Sequence, residues 1–220
     1  MKAGGVLRRR AAWVAVGLLV DRVVPELPNR WHPVAWFGSL MGFIERTIWS
    51  DRRSVGLLYA TFGTTVGIGA GRLIRNPAVA VGVASAGPEL RRLGGEIEAA
   101  VRSNGLDAGR VALSGLVGRD TSQLDEAGIA AAVVESVAEN TVDAVVAPVF
   151  WALVGGAPGA LAYRAINTMD AMVGHRNARY ERFGKVAARL DDAANFAPAR
   201  LFALSLMVVR PRRASQIVAL

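Results

Sequence analysis

The chain alternates between uncharged stretches and polar, charged stretches, and the two-residue alternation of a β-strand is rare in both. Two uncharged stretches are the longest: residues 55–71, with 17 residues flanked by arginines, and residues 144–163, with 20. A helix of about 20 apolar residues spans a bilayer, and about 17 is the lower limit. Shorter apolar runs occupy residues 77–87 and 201–209. The pattern predicts an all-α fold with several membrane helices, although buried helices of a soluble helical protein share this signature.

The second long stretch and the N-terminus each carry a further signal. Residues 144–163 predict either one broken helix or two helices joined by a turn, because glycine and proline interrupt the run. The interrupting residues are Pro148, Gly155, Gly156, Pro158 and Gly159. Residues 1–24 have the basic start and apolar middle of a signal sequence, but no small-residue cleavage site follows and Asp21 and Arg22 interrupt the run. We therefore expect a first helix that is retained.

A long polar segment, residues 89–143, lies between the apolar stretches. It predicts two or more amphipathic helices with a turn at residues 103–105, which read Ser-Asn-Gly. Ser122 is the predicted N-cap of the later helix, with Asp125 three residues on as in a capping box. That helix is expected to run from about residue 126 to residue 143.

A second polar segment, residues 164–200, is rich in arginine and is predicted to be helical around residues 179–189. No internal repeat and no low-complexity linker separates the segments. We therefore expect one membrane domain over residues 1–220, with the two polar segments between its membrane helices.

Charge and composition narrow the class of protein. Hydrophobic residues make up 52% of the 220 residues, the formal net charge is +8, and cysteine is absent. Disulfides, thiolate metal sites and cysteine nucleophiles are thus excluded for this sequence. The basic clusters flank apolar stretches, as juxtamembrane residues do, and only 7% of residues are aromatic. This favours a cell-membrane location with lipid as a partner and argues against nucleic-acid binding.

The acidic run in the first polar segment is the strongest candidate for chemistry. Glu135, Glu139 and Asp143 follow one another at four-residue spacing, so a helix places them on one face beside Ser136 and Asn140. Oxygen ligands of this kind suit Mg²⁺, which takes one or two carboxylates together with substrate phosphates. A solvated acidic face is the alternative.

Two further groups could bind anions. Arg119 and Asp120 precede a predicted helix start, where free backbone N–H groups bind anions; an ordinary capped turn is the alternative. Residues 163–184 concentrate polar side chains beside an apolar run, and their arginines could bind phosphate or form a basic juxtamembrane face. The polar members are Arg164, Asn167, Asp170, His175, Arg176, Asn177, Arg179, Tyr180 and Arg182. Asp191 and Asp192 follow and could be ligands or a helix cap, and a lone histidine such as His32 is more often structural.

Three sequence stretches together resemble the CobD/CbiB family, the adenosylcobinamide-phosphate synthases of cobalamin biosynthesis. The first is DRVVPELPNRWHPVAWFGSLMGFIER, and the others lie within GRDTSQLDEAG…ESVAENTVDAVVAP…NTMDAMVGHRN and ARYERFGKVAARLDDAANFAPARL. They cover residues 21–46 and 118–201 in the order of the family. The resemblance implies a multi-pass membrane ligase, and the C-terminal part of the family is expected to be absent from this chain.

The resemblance also implies the reaction. Such enzymes join the amino group of (R)-1-amino-2-propanol O-phosphate, or a related amino alcohol, to the free propionate of adenosylcobyric acid, using ATP and Mg²⁺. A carboxylate does not react with an amine in water, so ATP would convert it to an acyl phosphate, and this transfer needs metal and cationic groups at the phosphates.

Residue roles follow from the resemblance as hypotheses. Glu135, Glu139 and Asp143 are expected to bind Mg²⁺, with Asn140 orienting them. The catalytic set is Glu139, Asp143, Asp170 and His175, in which Asp170 or His175 accepts the proton of the incoming ammonium. The phosphate-binding candidates are Arg119, Arg164, Arg176 and Arg182. Further substrate-binding candidates are Asp21, His32, Asp120, Ser136, Asn140, Asn167, Asn177 and Tyr180.

Two other functions remain open from the sequence. A non-catalytic membrane scaffold would hold other corrin-pathway enzymes through residues 89–143, and its acidic face need not bind metal. A corrinoid transporter would line a path with the broken run of residues 144–163. A homo-oligomer is compatible with each reading.

Overall fold

The computed structural model describes residues 3–23, 29–115, 117 and 120–211. Within these ranges the protein is built from helices and turns, without β-strands, so the predicted all-α fold is confirmed. The eight α-helices are α1 (Ala3–Val23), α2 (Pro33–Ile48), α3 (Arg53–Ile74), α4 (Pro77–Ala84), α5 (Gly87–Ser114), α6 (Glu126–Thr141), α7 (Ala147–Val173) and α8 (Lys185–Val209). A short 3-10 helix (Asn29–Trp31) precedes α2, and a π-helical turn (Val142–Val146) joins α6 to α7.

Helix α7 forms the centre of the fold and packs against α1, α2, α3, α4 and α8. Two apolar clusters surround it. One joins α1, α4 and the first part of α7 around Val81 and Ala160, and the other joins α2, α3 and the last part of α7 around Met41, Tyr59 and Met169. Helices α5 and α6 pack mainly against each other, around Ile97 and Ile129. The last part of α7 thus packs on the second apolar cluster, and the π-helical turn at its beginning joins it to α6.

Glycines at four-residue spacing allow α3 to approach α7 closely. A Cβ atom at Gly67 would lie 2.6 Å from the carbonyl oxygen of Leu161, and one at Gly71 would overlap the backbone of Pro158. At Gly63 it would overlap the side chain of Met169. Small residues four positions apart on one helix face bring two helix backbones together, as membrane helices commonly do.

The predicted interruption of residues 144–163 is confirmed as one broken helix. Gly156 has φ +68°, a left-handed conformation that glycine adopts without steric cost, and Pro158 lacks a backbone N–H. The break leaves carbonyl groups without helical partners, and the Arg10 guanidinium donates hydrogen bonds to the carbonyl oxygens of Leu153 and Val154. A side chain of α1 thus supplies hydrogen-bond donors to the carbonyl groups at the break in α7.

The first polar segment is also interrupted where the sequence predicts, because Gly105 has φ +81° inside α5. The predicted N-cap at Ser122 is wrong by three residues. Asp125 is the N-cap of α6 and accepts a hydrogen bond from Gly128 N at 2.7 Å. Ser122 N instead donates to Asp120 Oδ1 at 2.9 Å, which makes a local turn.

The predicted helix around residues 179–189 is only half correct, since α8 begins at Lys185 and residues 174–184 form an irregular connection. Side chains from the beginning of the chain hold this connection. Asp51 Oδ1 accepts hydrogen bonds from the backbone N–H groups of Arg182 at 2.7 Å and Phe183 at 2.9 Å. Asn177 Oδ1 accepts from Arg179 N at 2.9 Å. The local turn at Asn177 and the tertiary contacts of Asp51 together override the helical propensity of the arginine-rich sequence.

Two helical stretches of the described residues are long and apolar enough to cross a membrane: Glu126–Val173 and Lys185–Val209. Residues 55–71, the first sequence candidate, are not among them, because five glycines and three threonines lower their mean hydropathy. Large apolar side chains are exposed along α1, α3 and α8, as lipid-facing residues are. The multi-pass arrangement stays a prediction.

Candidate functional site

A polar cleft of about 730 Å³ opens beside the end of α7. One wall carries four polar residues of α6 and Asp143 of the π-helical turn, and the facing wall carries Ala171 and His175. Gly115, Val117 and Ala132 complete the lining. The α6 residues are Glu135, Ser136, Glu139 and Asn140. We call this site the carboxylate cleft, because three of its side chains are acidic.

The carboxylate cleft follows from the spacing of the residues in α6. Residues three or four positions apart share a helix face, so two glutamates, a serine and an asparagine meet on one side. Asn140 Nδ2 donates to the carbonyl oxygen of Ser136 at 2.8 Å and lies 3.1 Å from its Oγ. This contact holds the amide against the helix, with its Oδ1 as a remaining acceptor. π-helical turns occur frequently at functional sites, and here one carries Asp143.

Asp143 belongs to a second polar group that joins the π-helical turn to α7 and α8. The Tyr163 hydroxyl lies 2.9 Å from Asn195 Oδ1 and 3.3 Å from Asp143 Oδ1, so its single proton bonds one of them at a time. Asn195 Nδ2 donates to Asp191 Oδ2 at 2.9 Å, and Asn167 Nδ2 donates to Asp191 Oδ1 at 3.3 Å. The orientation of Asp143 in the cleft thus depends on helix α8.

Sequence analysis missed Asn195 and gave Tyr163 no role. A signal existed, since Asp191 and Asn195 are four residues apart in a helix that also contains many apolar residues. Polar side chains at such spacing share a face and need partners when they are buried. Only the fold shows that the partners are on α7.

A smaller cavity of about 130 Å³ adjoins the cleft on the far side of His175, which lines both. We call it the basic chamber. Its charged and aromatic lining residues are His175, Arg176, Tyr180, Glu181, Lys185, Arg189 and Asp192. The residue types of this lining, three of them cationic, suit an anionic group.

The connection that carries the basic chamber is attached to α2 through Glu45, which sequence analysis also missed. Glu45 is only 7% exposed, and its Oε1 accepts hydrogen bonds from Arg179 Nη2 at 2.7 Å and from the Tyr180 hydroxyl at 3.3 Å. The hydrogen bond to Glu45 raises the pKa of Arg179 above its usual value. The Arg179 guanidinium also lies 4.7 Å from the ring centre of Trp49. The sequence signal that could have identified Glu45 is an acidic residue within the largely apolar helix α2.

Three predicted site residues on the later helices lie beside the cleft rather than in its lining. Asp170 is close enough to His175 to interact with it electrostatically, and Asn167 contacts Asp191. Arg164 lines an apolar groove between α2, α3 and α7. Of the two proton acceptors that the sequence offered, His175 is the one that lines the cleft.

Other predicted residues have local structural contacts. His32 is the N-cap of α2 and accepts a hydrogen bond from Val34 N at 3.3 Å. The backbone N–H of Ser122 holds the pKa of Asp120 below its usual value, as expected for a turn carboxylate. The Asp21 side chain lies beside Gly87, at the start of α5. The backbone of Arg182 is held by Asp51, and Arg119 lies outside the described residues.

The carboxylates do not form a preassembled metal centre. Among the described residues, no group of three or more Asp, Glu or His side chains is arranged so that it could hold a metal ion. Glu135, Glu139 and Asp143 line one cleft without converging as three ligands of one ion. Mg²⁺ usually takes one or two carboxylates and completes its shell with water and phosphate oxygens. The three-ligand assignment therefore stays a prediction.

The fold and the cleft define an all-helical protein with an acidic cleft at one end of a central broken helix. The chain belongs to the CobD/CbiB family, because the family model described as CobD/Cbib protein matches residues 14–219. The resemblance inferred from the sequence is thereby confirmed.

Individual relatives agree with this assignment. The chain is 40% identical over 210 residues to the cobalamin biosynthesis protein CbiB of Salmonella choleraesuis, which covers 86% of this chain and 65% of the relative. It is 41% identical over 217 residues to the cobalamin biosynthesis protein CobD of Mycobacterium bovis, covering 94% of this chain and 69% of the relative. The chain thus spans about 65% of the length of the first of these relatives. No solved structure matches the chain.

Proposed function

We propose that the chain acts in cobalamin biosynthesis as a membrane-bound ligase. The reaction joins the amino group of (R)-1-amino-2-propanol O-phosphate, or a related amino alcohol, to the free propionate of adenosylcobyric acid, giving adenosylcobinamide phosphate. Membership in the CobD/CbiB family and the names of the relatives, which are cobalamin biosynthesis proteins, support a role in this pathway. The exposed apolar side chains support the membrane location.

One observation carries the reaction: the carboxylate cleft brings two glutamates, Asp143 and His175 together from separate parts of the chain. Amide formation needs an amine that is positioned and deprotonated next to an activated carboxyl group. Acidic side chains attract the ammonium form, and a histidine accepts a proton near neutral pH. The cleft contains both kinds of group.

The residues of the cleft have different roles in the proposed reaction. Glu139 and Asp143 hold the substrate ammonium, and His175 on the facing wall accepts its proton before the nitrogen attacks. Tyr163 and Asn195 keep the Asp143 carboxylate in place. ATP with Mg²⁺, when bound, supplies the activation of the propionate carboxylate. The volume of about 730 Å³ is large enough for the propionate arm together with the amino alcohol.

The test is a turnover assay on detergent-solubilised protein. Adenosylcobyric acid, aminopropanol phosphate, ATP and Mg²⁺ are supplied, and the corrinoid product is followed by mass spectrometry. We expect an ATP-dependent product that is heavier by the amide-linked aminopropanol phosphate. Glu139→Gln should lower turnover by about 100-fold or more, because an uncharged amide does not hold the ammonium. Glu126→Gln, on an exposed residue of the first turn of α6, is the matched control and should be unchanged.

Two results would contradict parts of the proposal. Full turnover by Glu139→Gln would show that Glu139 has no role in the reaction. Full turnover by the same variant at limiting Mg²⁺ would show that the predicted assignment of Glu139 as a Mg²⁺ ligand is wrong. No product from this chain, and none from a form extended beyond Leu220, would reject the ligase. The transporter alternative has less support, since the side chain of Arg10 is bonded at the break in α7 where a path would have to run.

A further inference from the structure

The basic chamber contains three cations whose charges are not neutralised by ion pairs. Within the described residues, the side chains of Arg176, Lys185 and Arg189 have neither a salt bridge nor a hydrogen bond to another side chain. The other arginine of the same connection, Arg179, is paired with Glu45. Cations that converge on a cavity without protein partners are available to an anionic ligand.

The size and net charge of the chamber limit the ligand. A volume of about 130 Å³ is well below the roughly 300–1,000 Å³ of pockets that enclose whole nucleotides or drug-sized ligands. Glu181 and Asp192 also belong to the lining, so the charged residues give a net +1 with His175 neutral. The chamber therefore suits one small phosphate group and does not suit a polyphosphate.

The neighbourhood of the chamber fixes the direction of such a ligand. His175 separates it from the carboxylate cleft, where Glu139 and Asp143 lie. A short molecule with a phosphate at one end and an ammonium at the other would place its phosphate among the cations and extend its ammonium past His175 to the carboxylates. Opposite charges at the two ends match opposite charges in the two cavities.

We propose that the basic chamber is the phosphomonoester site for the amino alcohol substrate, with Lys185 and Arg189 of α8 and Arg176 as phosphate ligands. The inference rests on the proposed function for the identity of the substrate. It adds Lys185 and Arg189, which were not among the candidate site residues named from the sequence. It also assigns the phosphates of ATP to a different part of the protein.

Binding to the detergent-solubilised protein is measured by calorimetry with four probes: aminopropanol phosphate, inorganic phosphate, unphosphorylated aminopropanol and ATP. Lys185→Gln and Arg189→Gln should each weaken binding of the first two probes by about tenfold or more, as loss of a charge-assisted hydrogen bond does. Neither variant should change the affinity for ATP. Arg189→Lys should retain most of the affinity, which shows that the chamber is folded. Arg200→Gln is the matched control on α8, because Arg200 contacts Phe196 outside the chamber.

The outcomes separate this proposal from the ligase. If Lys185→Gln and Arg189→Gln lower the affinity for ATP and spare aminopropanol phosphate, the chamber is a nucleotide site and the proposal is wrong. An equal loss in Arg200→Gln would show a general effect of charge and would also overturn it. If aminopropanol phosphate binds as expected but no amide product ever forms, the chamber stands and the ligase fails. If the amide forms with an unchanged KM in both variants, the ligase stands and the chamber fails.

Discussion

The contact between α3 and α7 and the polar region between α6, α7 and α8 use opposite means to hold helices together. In the first, glycines bring the two helix backbones so close together that one added methyl group on α3 would overlap the backbone of α7. In the second, Asp143, Tyr163 and Asn195 join the π-helical turn, α7 and α8 through hydrogen bonds between their side chains. Adding an atom should therefore disrupt the first region, and removing a polar atom should disrupt the second.

This difference has a functional reason. A close backbone contact leaves no space for a ligand, so it can only be structural. The polar side chains border a cleft that has room for substrate, and Asp143 belongs both to the hydrogen-bonded group and to the lining of the cleft. One face of α7 thus packs closely against α3, and another face carries Tyr163, which contacts the cleft residue Asp143.

The largest effect is expected at Gly67. Gly67→Ala places a Cβ atom 2.6 Å from the Leu161 carbonyl oxygen, so the two helix backbones must separate. We expect a loss of about 2–3 kcal/mol in the free energy of unfolding, measured by thermal or denaturant unfolding in detergent. Gly69→Ala is the control on the same helix, because a Cβ there meets no atom within 4 Å. Equal stabilities of the two variants would show that the close contact is absent.

A smaller effect is expected from Tyr163→Phe. Loss of the hydroxyl leaves Asn195 Oδ1 and Asp143 Oδ1 without this donor, which should cost about 1–2 kcal/mol in the free energy of unfolding. Because Asp143 also loses its orientation, kcat should fall further than the stability loss explains. Leu153→Ala, a substitution elsewhere on α7, gives the kcat expected from destabilisation alone. A kcat equal to that of the control would remove Tyr163 from the positioning of Asp143.

The N-cap of α6 should contribute about 1 kcal/mol. In Asp125→Ala, Gly128 N loses its acceptor, so the first turn of the helix that carries the glutamates frays. Asp125→Asn should retain nearly full stability, because asparagine also caps helices. Unfolding of both variants tests this, and equal losses in the two would point to charge rather than capping.

The smallest effect on global stability is expected from Glu45→Gln, because its contacts hold only residues 174–184. The readout is therefore local: trypsin should cleave after the arginines of this connection several-fold faster. Glu98→Gln is the control, since Glu98 forms an exposed ion pair with Arg102 on α5. Unchanged cleavage in Glu45→Gln would show that Glu45 is not needed to hold the connection, and that the contacts of Asp51 and Trp49 are sufficient.

The sequence predicted well what depends on local spacing. The four-residue repeat of Glu135, Glu139 and Asp143 predicted a shared face, and all three line the cleft. The glycines at residues 105 and 156 predicted the helix breaks, because a left-handed backbone conformation favours glycine. His175 was selected for its chemistry and lies on the facing wall.

What the sequence could not predict depends on contacts between distant residues. Glu45 and Asp51 hold a connection more than 120 residues later in the chain, and no local pattern indicates that pairing. The start of α8 was missed for the same reason, since its arginine-rich approach has a helical propensity that these contacts overcome. Asn195 gains significance only because α8 packs against α7.

The bond between Arg10 and the break in α7 has a consequence for how the chain is made. The guanidinium is synthesised 143 residues before the Leu153 carbonyl that it binds. A contact over such a sequence separation closes a long loop and forms after the local helices. The central helix is therefore completed only when α1 packs against it, so the carbonyl groups at the break gain their partner only after two segments 143 residues apart have met.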